Sequence, residues 1–413
     1  MYINVRSIKA LALALMLLFV GMRLAVADST DLKNHGDSKQ GFWKAVQRDF
    51  TGIKPHVIYT GEVLANVSGG ESRGAIYEGL LDLGLEIDIE EATGLPAGVF
   101  FFNVYNTHGN SPTERRVGDT LGVSNIDAYD SLRLYELWYE PPLPFEGLSL
   151  RFGQLAADSE FFISDAASLF IHGTFGWAPA AVQGAAPAYP QASVGARLRY
   201  TFENDAYAMA GIFSTDLGDP ANNANARHGM RWELPQTDAA VLILEGAIPM
   251  KPYGLEGLYK GGVWYDTTDT PDNRTGRLHS QNQGFYLAID QMLWAEDEEG
   301  PQGLNAFVRF AQSVSDRNTF SSYFDAGFTY TGLFPGWDDD TLGIAVAHAD
   351  LSNSFESVNG GTDESLFELT YQKVVNSIWT LQPVLQYIHN PGGPDGRSLS
   401  DAIIVGLRSE LTF

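Results

Sequence analysis

From about residue 50 to the C-terminus, apolar and polar residues alternate with a period of two, and no other feature constrains the fold as strongly. The last segment shows this best. Ile403, Val405, Leu407, Leu411 and Phe413 share one side of an extended chain, interrupted only by Ser409, while Gly406, Arg408, Glu410 and Thr412 share the other. Successive strand side chains point to opposite faces, so this segment has one apolar face and one that carries charge. Upstream, Leu342, Ile344 and Val346 oppose Gly343, Ala345 and Ala347, and Phe367, Leu369 and Tyr371 oppose Glu368, Thr370 and Gln372. Alternation alone fits a soluble β-sandwich as well as a membrane barrel.

Counting and connectivity separate the two. Strands are expected near 53–66, 75–88, 97–108, 129–140, 147–156, 191–203, 205–214, 238–248, 256–267, 281–293, 303–312, 320–332, 340–350, 364–375, 378–389 and 401–413, about sixteen in all. Single-chain outer-membrane barrels have even strand numbers, and strands of this length suit a tilted bilayer crossing. The gaps also sort by parity. One set is short, as at 203–205 and 376–377, and the other holds the longest, at 109–128, 157–190 and 215–237. Barrels have short turns at one rim and long loops at the other, and a sandwich has no reason to do so. The expected fold is therefore all-β, a transmembrane antiparallel β-barrel over 51–413. Trp138, Tyr139, Trp264, Tyr265, Trp294 and Trp379 lie at strand ends, where aromatic girdles meet lipid headgroups. Phe413 ends the last strand with an aromatic of the kind that outer-membrane assembly machinery reads.

The N-terminus agrees with export. Arg6 and Lys9 precede the apolar run Leu11–Val20, and Ala25-Val26-Ala27 fits a small-x-small cleavage site, so 1–27 reads as a signal peptide. Residues 28–50 do not alternate and form a separate N-terminal periplasmic segment, with a possible short helix around 41–50. There are no cysteines, which excludes disulfide scaffolds and thiolate metal sites. Of 26 basic residues three lie in the signal, leaving 23 against 51 acidic ones. So acidic a chain lacks the basic footprint of a nucleic-acid binder. Its acidic runs, 296–299 and 338–340, suit solvated loops or contact with lipopolysaccharide through divalent cations.

Several strings resemble the OprB family of carbohydrate-selective porins. They are Tyr59 to Asn66 followed by Ser68-Gly69-Gly70, Val123 to Ile126 with Leu132 to Trp138, Arg151 to Gln154 with Asp158 to Phe162 and Phe175-Gly176-Trp177, Gly332 to Gly336, and Leu381 to Gly393. Together they span about 55–413 in order. His172 departs from the pattern, which has Asn there. The resemblance implies a sixteen-stranded barrel narrowed by an inward-folded constriction loop. It implies passive diffusion of monosaccharides or small oligosaccharides into the periplasm, with outer-membrane lipid around the barrel and no catalytic cycle or cofactor.

A sugar has an apolar ring face and hydroxyl edges, so a selective constriction needs aromatic rings together with charged or amide groups. The loop after the fifth strand offers Asp158, Glu160, Phe161, Phe162, Asp165, Phe170 and Trp177, and adjacent walls offer Arg151, Glu136 and Trp138. Glu136 is expected to face inward, although Arg133, Tyr135 and Leu137 compete for that face. Phe161 and Phe162 serve equally as a sugar platform or as loop packing. Three rivals remain: a general-diffusion porin, an outer-membrane barrel phospholipase and a soluble exported β-sandwich lectin. Gly70-Glu71-Ser72-Arg73-Gly74 matches a hydrolase nucleophile turn but falls in a hairpin loop. No pair of the eight histidines has metal-ligand spacing.

Overall fold

The computed structural model describes residues 51–177, 183, 186–296, 302–359 and 361–413. The expected signal peptide, the 28–50 segment and most of the 296–299 acidic run lie outside the described residues. Sixteen strands form a closed antiparallel barrel: β1 (Ile53–Ser68), β2 (Gly74–Asp88), β3 (Val99–Gly109), β4 (Ser131–Glu140), β5 (Leu148–Leu155), β6 (Ser193–Thr201), β7 (Tyr207–Ser214), β8 (Ala240–Met250), β9 (Gly257–Asp266), β10 (Asn282–Ala295), β11 (Gly303–Ser313), β12 (Phe320–Thr331), β13 (Thr341–Leu351), β14 (Glu364–Asn376), β15 (Trp379–His389) and β16 (Ala402–Thr412). Each lies within two residues of the position expected from alternation. Sequential neighbours pair, and β1 closes on β16 with Glu62 opposite Arg408 and Val63 opposite Leu407. Closure leaves no unpaired sheet edge.

The outer wall is apolar and open to its surroundings. Leu244 is 54% exposed, Ile248 56% and Val263 52%, and Val405 and Leu407 continue the band. In water such a continuous belt would be an aggregation surface, whereas a bilayer satisfies it. Among the described residues no helix is long and apolar enough to cross a membrane, so any crossing is made by strands. Tyr265 and Trp294 are exposed at opposite rims. Trp138 and Trp264 depart from the expected girdle. Both are buried and belong to the inner face.

Two irregularities near β4 position the site. Opposite Asn103 of β3, the β4 ladder takes two residues, Tyr135 and Glu136, against one. The Asn103 side-chain oxygen accepts the Glu136 N–H at 2.8 Å. Such a bulge shifts the strand's phase. Arg133 and Tyr135 therefore face inward above it, and Glu136 and Trp138 face inward below it, while Leu137 turns out. This resolves the mixed alternation of this strand.

The second irregularity is a gap. β4 pairs with β5 only over Leu137–Tyr139, because the chain leaves β5 at Leu155 and turns into the lumen. The long loop between β7 and β8 fills the opening. Leu134 donates its N–H to the His228 carbonyl at 3.1 Å, and the His228 Nδ1 meets the Leu132 carbonyl at 2.7 Å. Arg227 donates to the Asp130 carbonyl at 2.5 Å, and the Trp232 indole N–H to the Gln154 side chain at 2.6 Å.

Candidate solute pathway and its constriction

After β5 the chain crosses the lumen and is fixed to successive strands by inward-facing polar residues. At its root, Glu136 accepts the Ala156 N–H (2.9 Å) and the Ser159 hydroxyl (3.0 Å). Glu245 of β8 accepts the Phe162 N–H at 2.9 Å and the hydroxyls of Tyr207 and Tyr286, each at 2.7 Å. Lys260 of β9 donates to the Ile163 carbonyl (2.7 Å), and Asp290 of β10 accepts from Ser164 (2.5 Å) and the Ala166 N–H (3.2 Å). On β14, Glu368 takes the N–H groups of Ile171 (2.8 Å) and His172 (2.9 Å), and Gln382 of β15 donates to the Leu169 carbonyl (2.7 Å). Arg309, buried in an ion pair with Asp325 at 2.5 Å, donates to the carbonyls of Thr174 and Gly176, both at 3.2 Å. An inserted loop carries backbone groups that water cannot reach, and the wall supplies the partners they need.

The loop between β3 and β4 also folds inward. Glu364 accepts the Thr120 and Leu121 N–H groups, both near 3.0 Å, and Gln386 donates to the Val123 carbonyl at 3.0 Å. Glu62 pairs with Arg408 at 2.6 Å and holds the Ser124 hydroxyl. The two inserted loops meet where Asn125 donates to the Ile171 carbonyl (2.8 Å) and Gly173 to the Gly122 carbonyl (2.9 Å). His172 lies at this junction. Its Nδ1 accepts the Thr174 N–H at 3.4 Å, and its Nε2 faces the buried Asp119 at 3.6 Å.

The expected site residues separate into three groups. Arg151, Glu160 and Trp138 belong to one ion network at the root of the loop. Arg151 reaches Glu160 at 2.6 Å and Glu140 at 3.1 Å, and Arg197 of β6 reaches the same carboxylates at 3.0 and 3.2 Å. The Arg151 guanidinium lies 3.6 Å over the Trp138 ring, whose other neighbour is Phe101 at 5.0 Å, so Trp138 is enclosed by Arg151 and Phe101. Arg151 and Glu136 thus stand beside the loop's origin, while the wall across the lumen is made by β8 to β15.

The second group is Phe161 and Phe162, which are 0% and 1% exposed. Their rings meet Phe213 and Tyr286 edge-on, the packing role of the two considered from sequence. The third group faces open space. Asp165 is exposed, and Asp158 lines a cavity of about 850 Å³ between the two inserted loops.

That cavity joins Trp177, a candidate from sequence, to residues the sequence reading did not select: Asp127, Tyr129, Tyr189 and Arg227. The Tyr189 hydroxyl donates to the Ile126 carbonyl at 2.7 Å, and its N–H donates to Asp158 at 2.7 Å, tying the far arm of the constriction loop to both walls of the cavity. Burial pushes the carboxyls of Asp127 and Asp158 up to about 6 despite the hydrogen bonds each accepts. Both are mostly ionised at neutral pH and lose charge as the pH falls through 6. Three strings singled out for their resemblance, Val123–Ile126, Asp158–Phe162 and Phe175–Trp177, contribute to its lining.

Two hydrolase-like features also have places in the structure. The Ser72 hydroxyl donates to the Arg115 carbonyl and accepts from Arg116, both at 3.0 Å. On the outer wall, Ser365 meets His348 Nδ1 at 2.8 Å, and His348 Nε2 meets Asp350 at 3.0 Å. Ser365 sits in a regular ladder opposite both His348 and His389, without the strained turn that exposes a hydrolase serine.

The chain resembles known channels along most of its length. It is 24% identical to Porin B of Pseudomonas aeruginosa over 402 residues, covering 86% of each chain. It is 23% identical to a putative porin, QuiX, of Acinetobacter baylyi over 394 residues, covering 85% of this chain and 87% of the other. The high-pH structure of Pseudomonas putida OprB superimposes with a TM-score of 0.77 at 23% identity, over 88% of this chain and 94% of that one, and so shares its fold. The profile of the carbohydrate-selective porin, OprB family, matches residues 72–413. With a closed sixteen-stranded barrel, an apolar outer belt and a loop-narrowed lumen, the chain belongs to the OprB family of carbohydrate-selective porins.

Proposed function

We propose that sugars cross this outer-membrane porin by passive diffusion, first through the cavity between the two inserted loops and then past the ion network of Arg151, Glu140, Glu160 and Arg197. The observation that carries this reading is the constriction loop itself. It is held to the wall on at least five strands, so the narrow part of the channel has a fixed shape. The path presents rings, through Trp177 and Tyr189, and charged groups, through Asp158 and Arg151, as a sugar's two kinds of surface require. Individual contacts to such groups contribute only about 1–3 kcal/mol, weak enough for release. The apolar belt supports contact with outer-membrane lipid and lipopolysaccharide, and the terminal Phe413 supports recognition by the assembly machinery.

Planar-bilayer recordings test the path. Sugar block of ion current should weaken in Arg151→Ala and in Glu160→Ala, with single-channel conductance constant or raised. If sugar block is unchanged in both variants, the selectivity residues lie elsewhere and a general-diffusion pore becomes the better reading.

A further inference from the structure

The cavity between the inserted loops carries an unequal charge. Its lining includes four carboxylates, from Glu114, Asp127, Asp130 and Asp158, against two guanidiniums, from Arg115 and Arg227. Arg227 is turned to the wall, with its Nη2 on the Asp130 carbonyl and its charge 5.3 Å from the Tyr129 ring. Arg115 is exposed, as are Glu114 and Asp130, so the more enclosed charges of the lining are Asp127, Asp158 and Arg227. The buried cations that reach the lining are already engaged: Arg133 with the Tyr129 hydroxyl and the Ala226 carbonyl, Arg408 with Glu62, Arg309 with Asp325, and Lys260 with the Ile163 carbonyl. By contrast, the ion network at the loop root has two arginines for two glutamates. Charge preference is therefore set in the cavity rather than at the root.

We propose that this cavity is a charge filter, with Asp127 and Asp158 as its specificity-determining residues, that admits neutral sugars and favours amine-bearing ones while excluding anionic sugar acids. The proposal rests on the reading of the lumen as a sugar path. A low-dielectric wall focuses the field of its carboxylates into the cavity, which raises the local concentration of cations and lowers that of anions. Trp177 and Tyr189 offer ring surface to any hexose, so apolar contact is common to all three solute types. Only the charge distinguishes them.

The test uses the full mature chain in planar bilayers with glucose, glucosamine and gluconate as blockers, and a salt gradient to read ion preference. The wild type should prefer potassium over chloride, and glucosamine should block best and gluconate least. Asp127→Asn and Asp158→Asn keep side-chain shape and an acceptor oxygen. Each should shift the glucosamine-to-gluconate ratio on the order of threefold toward gluconate. Ser168→Lys, an exposed position on the same cavity, should shift it the same way without touching either carboxylate. Gluconate blocking as well as glucose in the wild type, or a ratio unmoved by all three variants, would overturn the filter while leaving the sugar path intact. A channel blocked by none of the three sugars would overturn the sugar path and the filter together.

Discussion

Replacing Glu368 with Ala should widen the channel and remove most of its discrimination among sugars. This carboxylate holds the N–H groups of Ile171 and His172 at the point where the constriction loop has crossed the lumen, and it also accepts from Gln386 at 3.1 Å. Without it two buried amides lose their acceptor, at about 1–3 kcal/mol each. The anchors left on that side are hydrogen bonds to Leu169 from Gln382, to Thr174 and Gly176 from Arg309, to Thr174 from Tyr323, and those to the other inserted loop at Ile171 and Gly173. A penalty of that size shifts the held and released loop states by tenfold or more, at about 1.4 kcal/mol per decade. Single-channel conductance should rise and become noisy, and sugar block should fall. Glu368→Gln, which keeps one acceptor oxygen, should behave between the two. Conductance and block unchanged in Glu368→Ala would show that the loop is held by its hydrophobic packing alone.

The largest loss of stability is expected from Arg309→Ala. Arg309 and Asp325 are both fully buried, and each has further partners: Arg309 the two loop carbonyls, Asp325 the Tyr323 hydroxyl at 2.7 Å. Removing one member of such a pair strands the other charge and costs about 3–5 kcal/mol. Replacing both by apolar residues of similar volume removes the stranded charge, and most of the loss should be recovered in Arg309→Leu/Asp325→Leu. Heat-modifiable migration in gels gives the unfolding temperature of all three proteins. The order wild type, double variant, single variant is expected. A double variant no more stable than the single one would mean that the loss comes from the loop carbonyls and not from the charge.

The strands were legible because the lipid-facing row must be apolar at nearly every step, and Val405, Leu407 and Leu411 have no alternative environment. The insertion of the loop after β5 was legible from its length and its mixture of rings and carboxylates. Its anchors were not. Glu245, Asp290 and Glu368 occupy ordinary inward positions, and their partners are backbone amides far away in sequence, a pairing that local pattern cannot reveal. Phe161 and Phe162 look the same in sequence whether they face solute or wall, and the wall prevails because Phe213 and Tyr286 stand opposite. Trp138 was expected on the wall with Glu136, and the bulge at Tyr135–Glu136 explains how Arg133 and Tyr135 face inward as well; Arg151 and Phe101 cover the Trp138 ring. The cavity residues Asp127 and Tyr189 come from two separate loops, so no single segment of sequence marks the site.

Liposome swelling tests the central claim most directly. Vesicles containing the purified mature chain are placed in isotonic solutions of glucose, a small oligosaccharide, and amino acids of comparable or smaller size. A channel whose narrow part is shaped for polyhydroxylated rings predicts that glucose enters faster than amino acids smaller than itself. Entry rates that follow solute size alone, with the smaller amino acids ahead of glucose, would contradict it.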